Sequence, residues 1–131
     1  MKKRKLALLS ILSRVLVLGL GVLFGTLVQD YDSSSRIGRK TSLNGLDSLL
    51  QNTLIHFYKW DSVYFVGIGE EGYSHEQFFA FFPAFPFVIH SLARLLSLLS
   101  GGLISTFTLV LFCGVFVSNV SFVISSILLY Q

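Results

Sequence analysis

The sequence predicts an all-α membrane protein with about three transmembrane helices and a loop that carries short juxtamembrane helices. Three observations predict this class. Hydrophobic residues make up 53% of the 131 and charged residues only 13%, with a mean hydropathy of +0.71, whereas about a quarter of a soluble domain is charged. Five of the ten basic residues are Lys2, Lys3, Arg4, Lys5 and Arg14, and all seven acids fall between Asp30 and Glu76. Beyond Glu76 the only full charge is Arg94. Basic residues gathered beside a first apolar segment hold the N-terminus in the cytoplasm. A nucleic-acid binder would spread them along a face with aromatics interleaved, so no nucleic-acid partner is expected.

Residues 1–5 form the basic cytoplasmic tail. Leu6 to Val28 is apolar except for Arg14 and at 1.5 Å per residue spans about 35 Å as a helix. A signal peptide competes with this reading, but its apolar core runs to about 7–15 residues and ends at paired small residues. Leu23-Phe24-Gly25-Thr26-Leu27 offers no such pair. The segment reads as an uncleaved signal anchor, with Arg14 snorkelling towards the basic flank.

Residues 29–77 then lie on the far side, in the lumen if the membrane is the endoplasmic reticulum. Asp30 to Lys40 reads as a flexible connector. From Leu43, the residues Leu46, Leu49, Leu50, Leu54, Phe57 and Tyr58 recur mostly at three- and four-residue spacing, the mark of one apolar helical face. Asp47, Gln51, Asn52 and His56 fall between them, as in an interfacial helix. A second short helix is expected over Ser62–Glu71, stopped by Gly72. Gly67 and Gly69 weaken it by about 1 kcal/mol each, which close packing would explain.

Residues 78–99 read as a second crossing whose entrance is unwound by Pro83 and Pro86. His90 and Arg94, four apart, share a face, and an ionisable residue within a span is a functional-site hypothesis. Gly101-Gly102 makes a turn placed in the cytoplasm, and residues 103–129 return as a third crossing, with 130–131 at the end. Gly114, Ser118, Ser121 and Ser125 form a small-residue face suited to close helix approach. That face expects a partner helix, which a small membrane partner subunit would supply.

Chemistry concentrates between Phe57 and Phe87, where acids, histidines, aromatics and prolines crowd together. Asp61 has two readings: an N-cap for the following helix or a catalytic acid. Trp60 reads as an interface anchor. The histidines at 56, 75 and 90 lack metal-ligand spacing, and the single cysteine, Cys113, excludes a CxxC site. No metal or cofactor is expected.

The stretch KWDSVYFVGIGEEGYSHEQFFAFFPAFPFVI, Lys59 to Ile89, resembles the first luminal loop of the GPI mannosyltransferase 2 family. Lys59, Trp60, Asp61, Tyr64, Phe65, Gly72, Tyr73, Glu76, Ala80, Phe81, Pro83 and Pro86 match its pattern in order, and VSNVSFVISSILLY resembles its next helix. The resemblance implies the N-terminal part of a polytopic GT-C type glycosyltransferase in the endoplasmic reticulum membrane. It also implies a dolichyl phosphate mannose donor, a glycosylphosphatidylinositol precursor as acceptor, and an α-1,6 linkage made on the luminal side. With the motif, Asp61 becomes the candidate general base. Trp60, Lys59, Tyr73, His75 and Glu76 become candidates for substrate contacts, with Glu70 and Glu71 weaker ones. A non-catalytic multi-pass membrane protein, such as a helix-packing adaptor, is the competing expectation, and a small channel lined by His90 and Arg94 a third.

Overall fold

The computed structural model describes residues 2–28 and 44–130, and of Lys2 only the backbone. The connector expected over Asp30–Lys40 and the terminal Gln131 lie outside these residues. All the regular structure described is helical: α1 (Lys2–Leu27), α2 (Gly45–Leu54), α3 (Asp61–Glu71), α4 (Ala84–Leu99) and α5 (Thr106–Leu129). Short 3₁₀ turns at Ile55–Phe57 and Glu76–Ala80 follow α2 and α3. Among the described residues, two helices, α1 and α5, are long and apolar enough to cross a membrane. The expected all-α membrane class is what the helices form.

Local sequence explains where the helices begin and end. Asn44 caps α2 by accepting from the Asp47 N–H at 2.9 Å, and Ser105 caps α5 by accepting from the Thr108 N–H at 3.3 Å. Gly72 ends α3 at φ 73°, a conformation that an L side chain rarely adopts. Pro83 stands just before α4 and Pro86 in its first turn, where helix N–H groups have no intrahelical partner to lose. The aromatic run ahead of them forms the second 3₁₀ turn and an extended Phe81, so the unwound entrance covers Glu76–Phe82.

The helices pack around the first half of α5. Phe107, Thr108, Leu109, Val110, Leu111 and Cys113 are all buried, enclosed by α4, α3 and α2. Both glycines of α3 are at close approaches. A Cβ on Gly69 would stand 2.9 Å from Val110 Cγ1 and 3.3 Å from two carbons of Ile89, and one on Gly67 would stand 2.9 Å from the tip of the Phe78 ring. The expected packing role of these glycines is therefore present.

Helix α2 turns its polar side inward. Asp47 (0% exposed), Gln51 (4%) and Leu54 face the protein, while Leu46 (53%) and Leu49 (64%) point outward, as the lipid-facing residues of the expected interfacial helix would. Lipid as the surrounding medium accounts for this orientation: apolar side chains cost nothing there, and polar ones need internal partners. Asp47 accepts from the Ser105 N–H at 3.1 Å and the Ser105 hydroxyl at 3.0 Å, joining α2 to the start of α5.

Helices α1 and α5 run antiparallel. Arg14, midway along α1, meets Phe122 late in α5, whereas Gly21 and Gly25 approach Phe57 and His56. Tyr58, next in the chain, packs edge-on against Phe107 at the start of α5. Asn44 Nδ2 also donates to the Leu103 carbonyl at 2.6 Å. The Gly101-Gly102 turn thus shares one end of the bundle with the start of α2. Helix α4 has 16 residues, about 24 Å of helix.

Candidate active site

The Trp60-Asp61 pair sits on a strained corner. Trp60 has φ 54° and ψ −133°, the only positive φ outside glycine among the described residues. Backbone of this kind favours glycine and costs about 1–3 kcal/mol elsewhere. Several bonds hold it in place. The Ser62 N–H donates to the Lys59 carbonyl and the Val63 N–H to the Trp60 carbonyl, both at 3.1 Å. The Lys59 N–H donates to Ser62 Oγ at 2.6 Å, and that hydroxyl faces the Phe57 and Lys59 carbonyls at 2.9 and 2.6 Å.

This corner removes the N-cap reading of Asp61. Trp60 occupies the N-cap position and Asp61 is the first residue of α3, with no side-chain cap bond. The Asp61 carboxylate makes no hydrogen bond or ion pair among the described residues and is solvent-exposed. It lines the mouth of a cavity of ≈ 470 Å³ whose walls include Leu18, Phe65, Phe85, Leu111 and Asn119. Trp60 projects beside it, 85% exposed. An unpartnered carboxylate at the rim of an apolar cavity suits general-base work on a hydroxyl, provided that an amphipathic substrate fills the cavity.

The other candidate contacts do not converge on Asp61. Lys59 is adjacent in sequence and half-buried. Tyr73, His75 and Glu76 follow the far end of α3, whose 11 residues separate them from Asp61 by about 16 Å along the axis. The Tyr73 hydroxyl donates to the Phe81 carbonyl at 2.7 Å, and the His75 ring packs edge-on against Phe78. These two side chains shape the turn into α4. Glu76 is exposed. Glu70 and Glu71 lie near Tyr58, whose phenol is pushed above its usual range first by burial and then by those two carboxylates.

His90 is tied to α3 through Nδ1, 2.5 Å from the Gly69 carbonyl, so that nitrogen carries the proton. Arg94 is exposed and lines a separate cavity of ≈ 340 Å³ with His90, Ser97 and Thr106. Among the described residues, no cluster of histidine, cysteine or acids could hold a metal ion.

Sequence reasoning missed Ser62, Asn119 and the setting of Arg14. A serine beside a turn is a common local bonding signal; Asn119 is marked in the sequence only as the start of the Asn119-Val120-Ser121 glycosylation triplet, a reading that a lipid-buried segment excludes. Arg14 lies against α5 instead of reaching freely to the basic flank: its guanidinium is 3.8 Å from the Phe122 ring centroid, and its Nε is buried without a hydrogen-bond partner. An arginine at the centre of a span costs about 2.5–3.5 kcal/mol by insertion scales. A cation–π contact returns about 0.5–2 kcal/mol. The charge is incompletely compensated.

A family model described as mannosyltransferase (PIG-V) matches residues 2–131. The chain belongs to the PIG-V mannosyltransferase family. Among curated relatives, GPI alpha-1,6-mannosyltransferase 2 of Homo sapiens is 35% identical over 104 residues, covering 73% of this chain and 21% of that protein. The protein of the same name from Mus musculus is 34% identical over 89 residues, covering 67% of this chain and 18% of its own length. The chain thus spans about a fifth of the relatives it matches. No solved structure matches it.

Proposed function

We propose that this chain carries the acid-bearing segment of a GPI α-1,6-mannosyltransferase. It transfers the second mannose from dolichyl phosphate mannose to the glycosylphosphatidylinositol precursor, on the luminal side of the endoplasmic reticulum membrane, with the N-terminus cytoplasmic. Asp61 takes the proton from the acceptor hydroxyl as that oxygen attacks the anomeric carbon from the face opposite the phosphate. The new carbon–oxygen bond forms as the bond to the phosphate oxygen breaks. The dolichyl phosphate leaves with the electron pair, and the proton ends on Asp61. Phosphate is a good leaving group and needs no metal in principle.

The observation that carries the reading is the unpartnered Asp61 carboxylate at the mouth of the apolar cavity. The exposed Trp60 ring suits a sugar face or the headgroup layer, and Lys59 is the candidate cation on the phosphate side of the same corner. A small membrane partner subunit would pack on faces of α1 and α5 that the described helices leave uncovered.

The test is complementation. The intact gene is introduced into cells lacking the endogenous enzyme, and surface display of a GPI-anchored reporter is measured alongside mannose transfer in microsomes. Asp61→Asn should lower turnover about 10²- to 10⁴-fold at unchanged protein level. Full rescue by that variant would remove Asp61 from the mechanism.

A further inference from the structure

We infer that Arg14 is an anion-binding residue of the same site, receiving the phosphate of a lipid-borne substrate in the crevice between α1 and α5. The inference rests on the lipid-linked sugar transfer proposed above. Arg14 is the only charged residue of α1 beyond the basic residues at positions 2–5, and it is the thirteenth of the helix's 26 residues. No carboxylate pairs with it among the described residues. Its Nε is buried and unbonded, and its guanidinium lies on Phe122.

Position ties this cation to the cavity at Asp61. Leu18, one helical turn beyond Arg14 on the same face, lines the wall of that cavity. On the opposing helix Asn119 and Ser118 line it as well, and Phe122 lies one turn further along α5. The cavity therefore runs from a carboxylate at its mouth towards a guanidinium in the α1–α5 crevice, with apolar walls between. A lipid-borne sugar phosphate presents complementary chemistry: a sugar for the acid's end, a phosphate ester for the guanidinium, and a hydrocarbon chain for the apolar walls.

Arginine suits this task better than lysine. Its planar fork forms paired hydrogen bonds to phosphate oxygens, its charge is not lost by deprotonation, and its face stacks on an aromatic ring while its edge stays free. Phe122 covers one face of Arg14, and stacking of this kind does not consume the N–H donors. A purely architectural arginine would be expected to bond a backbone carbonyl or a carboxylate, which Nε does not.

Two substrates of the proposed reaction carry a phosphate ester on lipid: the dolichyl phosphate donor and the phosphoinositol of the acceptor. Steady-state transfer is measured in microsomes with the intact enzyme and its Arg14→Gln and Arg14→Lys variants, each substrate being varied in turn. Arg14→Gln should raise KM for one of the two by about 10- to 100-fold, the loss expected for a charge-assisted phosphate contact. Arg14→Lys, which keeps the charge and loses the fork, should fall between. A rise confined to the donor assigns the donor's phosphate, and one confined to the acceptor assigns the phosphoinositol. If neither KM moves in either variant, or if activity only tracks protein level, Arg14 is a helix-packing residue and the inference is overturned. Asp61→Asn in the same assay keeps the two ideas apart. Full turnover in that variant defeats the proposed reaction, whereas lost turnover beside unmoved KM values for Arg14 defeats only the phosphate contact.

Discussion

Replacing Gly69 by alanine tests the packing of α3 against α4 and α5, and Gly67→Ala in the same helix supplies the comparison. Both substitutions gain about 1 kcal/mol of helix propensity, so that gain cancels between them. The neighbours differ. At Gly69 the new methyl would meet Val110 Cγ1 at 2.9 Å and Ile89 Cδ1 and Cγ1 at 3.3 Å, and Val110 and Ile89 are both 0% exposed. Neither can give way without moving a helix, and overpacking of this kind costs about 1–3 kcal/mol. At Gly67 the close atom is Cζ at the tip of the Phe78 ring, with the next ring atoms at 3.6 Å. Phe78 stands on a 3₁₀ turn and can tilt. Gly69→Ala should therefore be less stable than Gly67→Ala by about 1–3 kcal/mol, or several degrees of Tm at about 4 °C per kcal/mol for a chain of this size. Thermal unfolding of the detergent-purified variants reads this difference. Equal melting temperatures, or a more stable Gly69→Ala, would refute the argument.

Two further substitutions have directions set by the structure. Asp47→Ala removes the buried acceptor of the Ser105 N–H and hydroxyl and should cost about 3–5 kcal/mol from two charge-assisted bonds. Asp47→Asn, which keeps one oxygen, should cost less, and hydrogen exchange over residues 45–54 would show α2 loosening first; unchanged protection in the alanine variant contradicts this. Tyr58 has its phenol raised above 10.0 chiefly by burial, then by Glu70 and Glu71. The folded state thus favours the neutral form, and this contribution is complete below the unfolded value of about 10. It is lost as pH rises from there through the folded value. Tyr58→Phe should flatten the alkaline fall in Tm relative to the unaltered protein, and parallel alkaline limbs would contradict it.

Helix positions were legible because their signals are local. Gly72 stops α3 for a backbone reason, and Pro83 before α4 and Pro86 in its first turn fix where regular bonding can begin. What the polar side of α2 meets was not legible from its sequence alone. Its leucine spacing gives the apolar face, but Asp47 on the other side finds its partner only when Ser105, 58 residues away, is brought beside it. The length of α4 also depends on distant contacts. Phe78 to Leu99 has the composition of a span, but Glu76–Phe82 spends its aromatic residues on ring contacts among Tyr64, Phe65, Phe78 and Phe81, leaving 16 residues of helix. For the site, the Trp-Asp pair could be read from the sequence. The separation of Asp61 from Tyr73, His75 and Glu76 required the length of α3.

The freedom of Asp61 follows from a shift of one residue. An aspartate at the N-cap would spend its carboxylate on the N–H groups of the first turn, and the sequence alone allowed that role. Because Trp60 adopts the positive-φ corner, the helix is entered one residue earlier and Asp61 falls inside it. A carboxylate at that position still benefits from the positive end of the helix dipole without being consumed by a cap. Backbone strain at Trp60 and a free acid at Asp61 are thus two consequences of one turn. Ser62, by bonding across that turn, offsets part of the strain with hydrogen bonds that any helix start would otherwise leave to water.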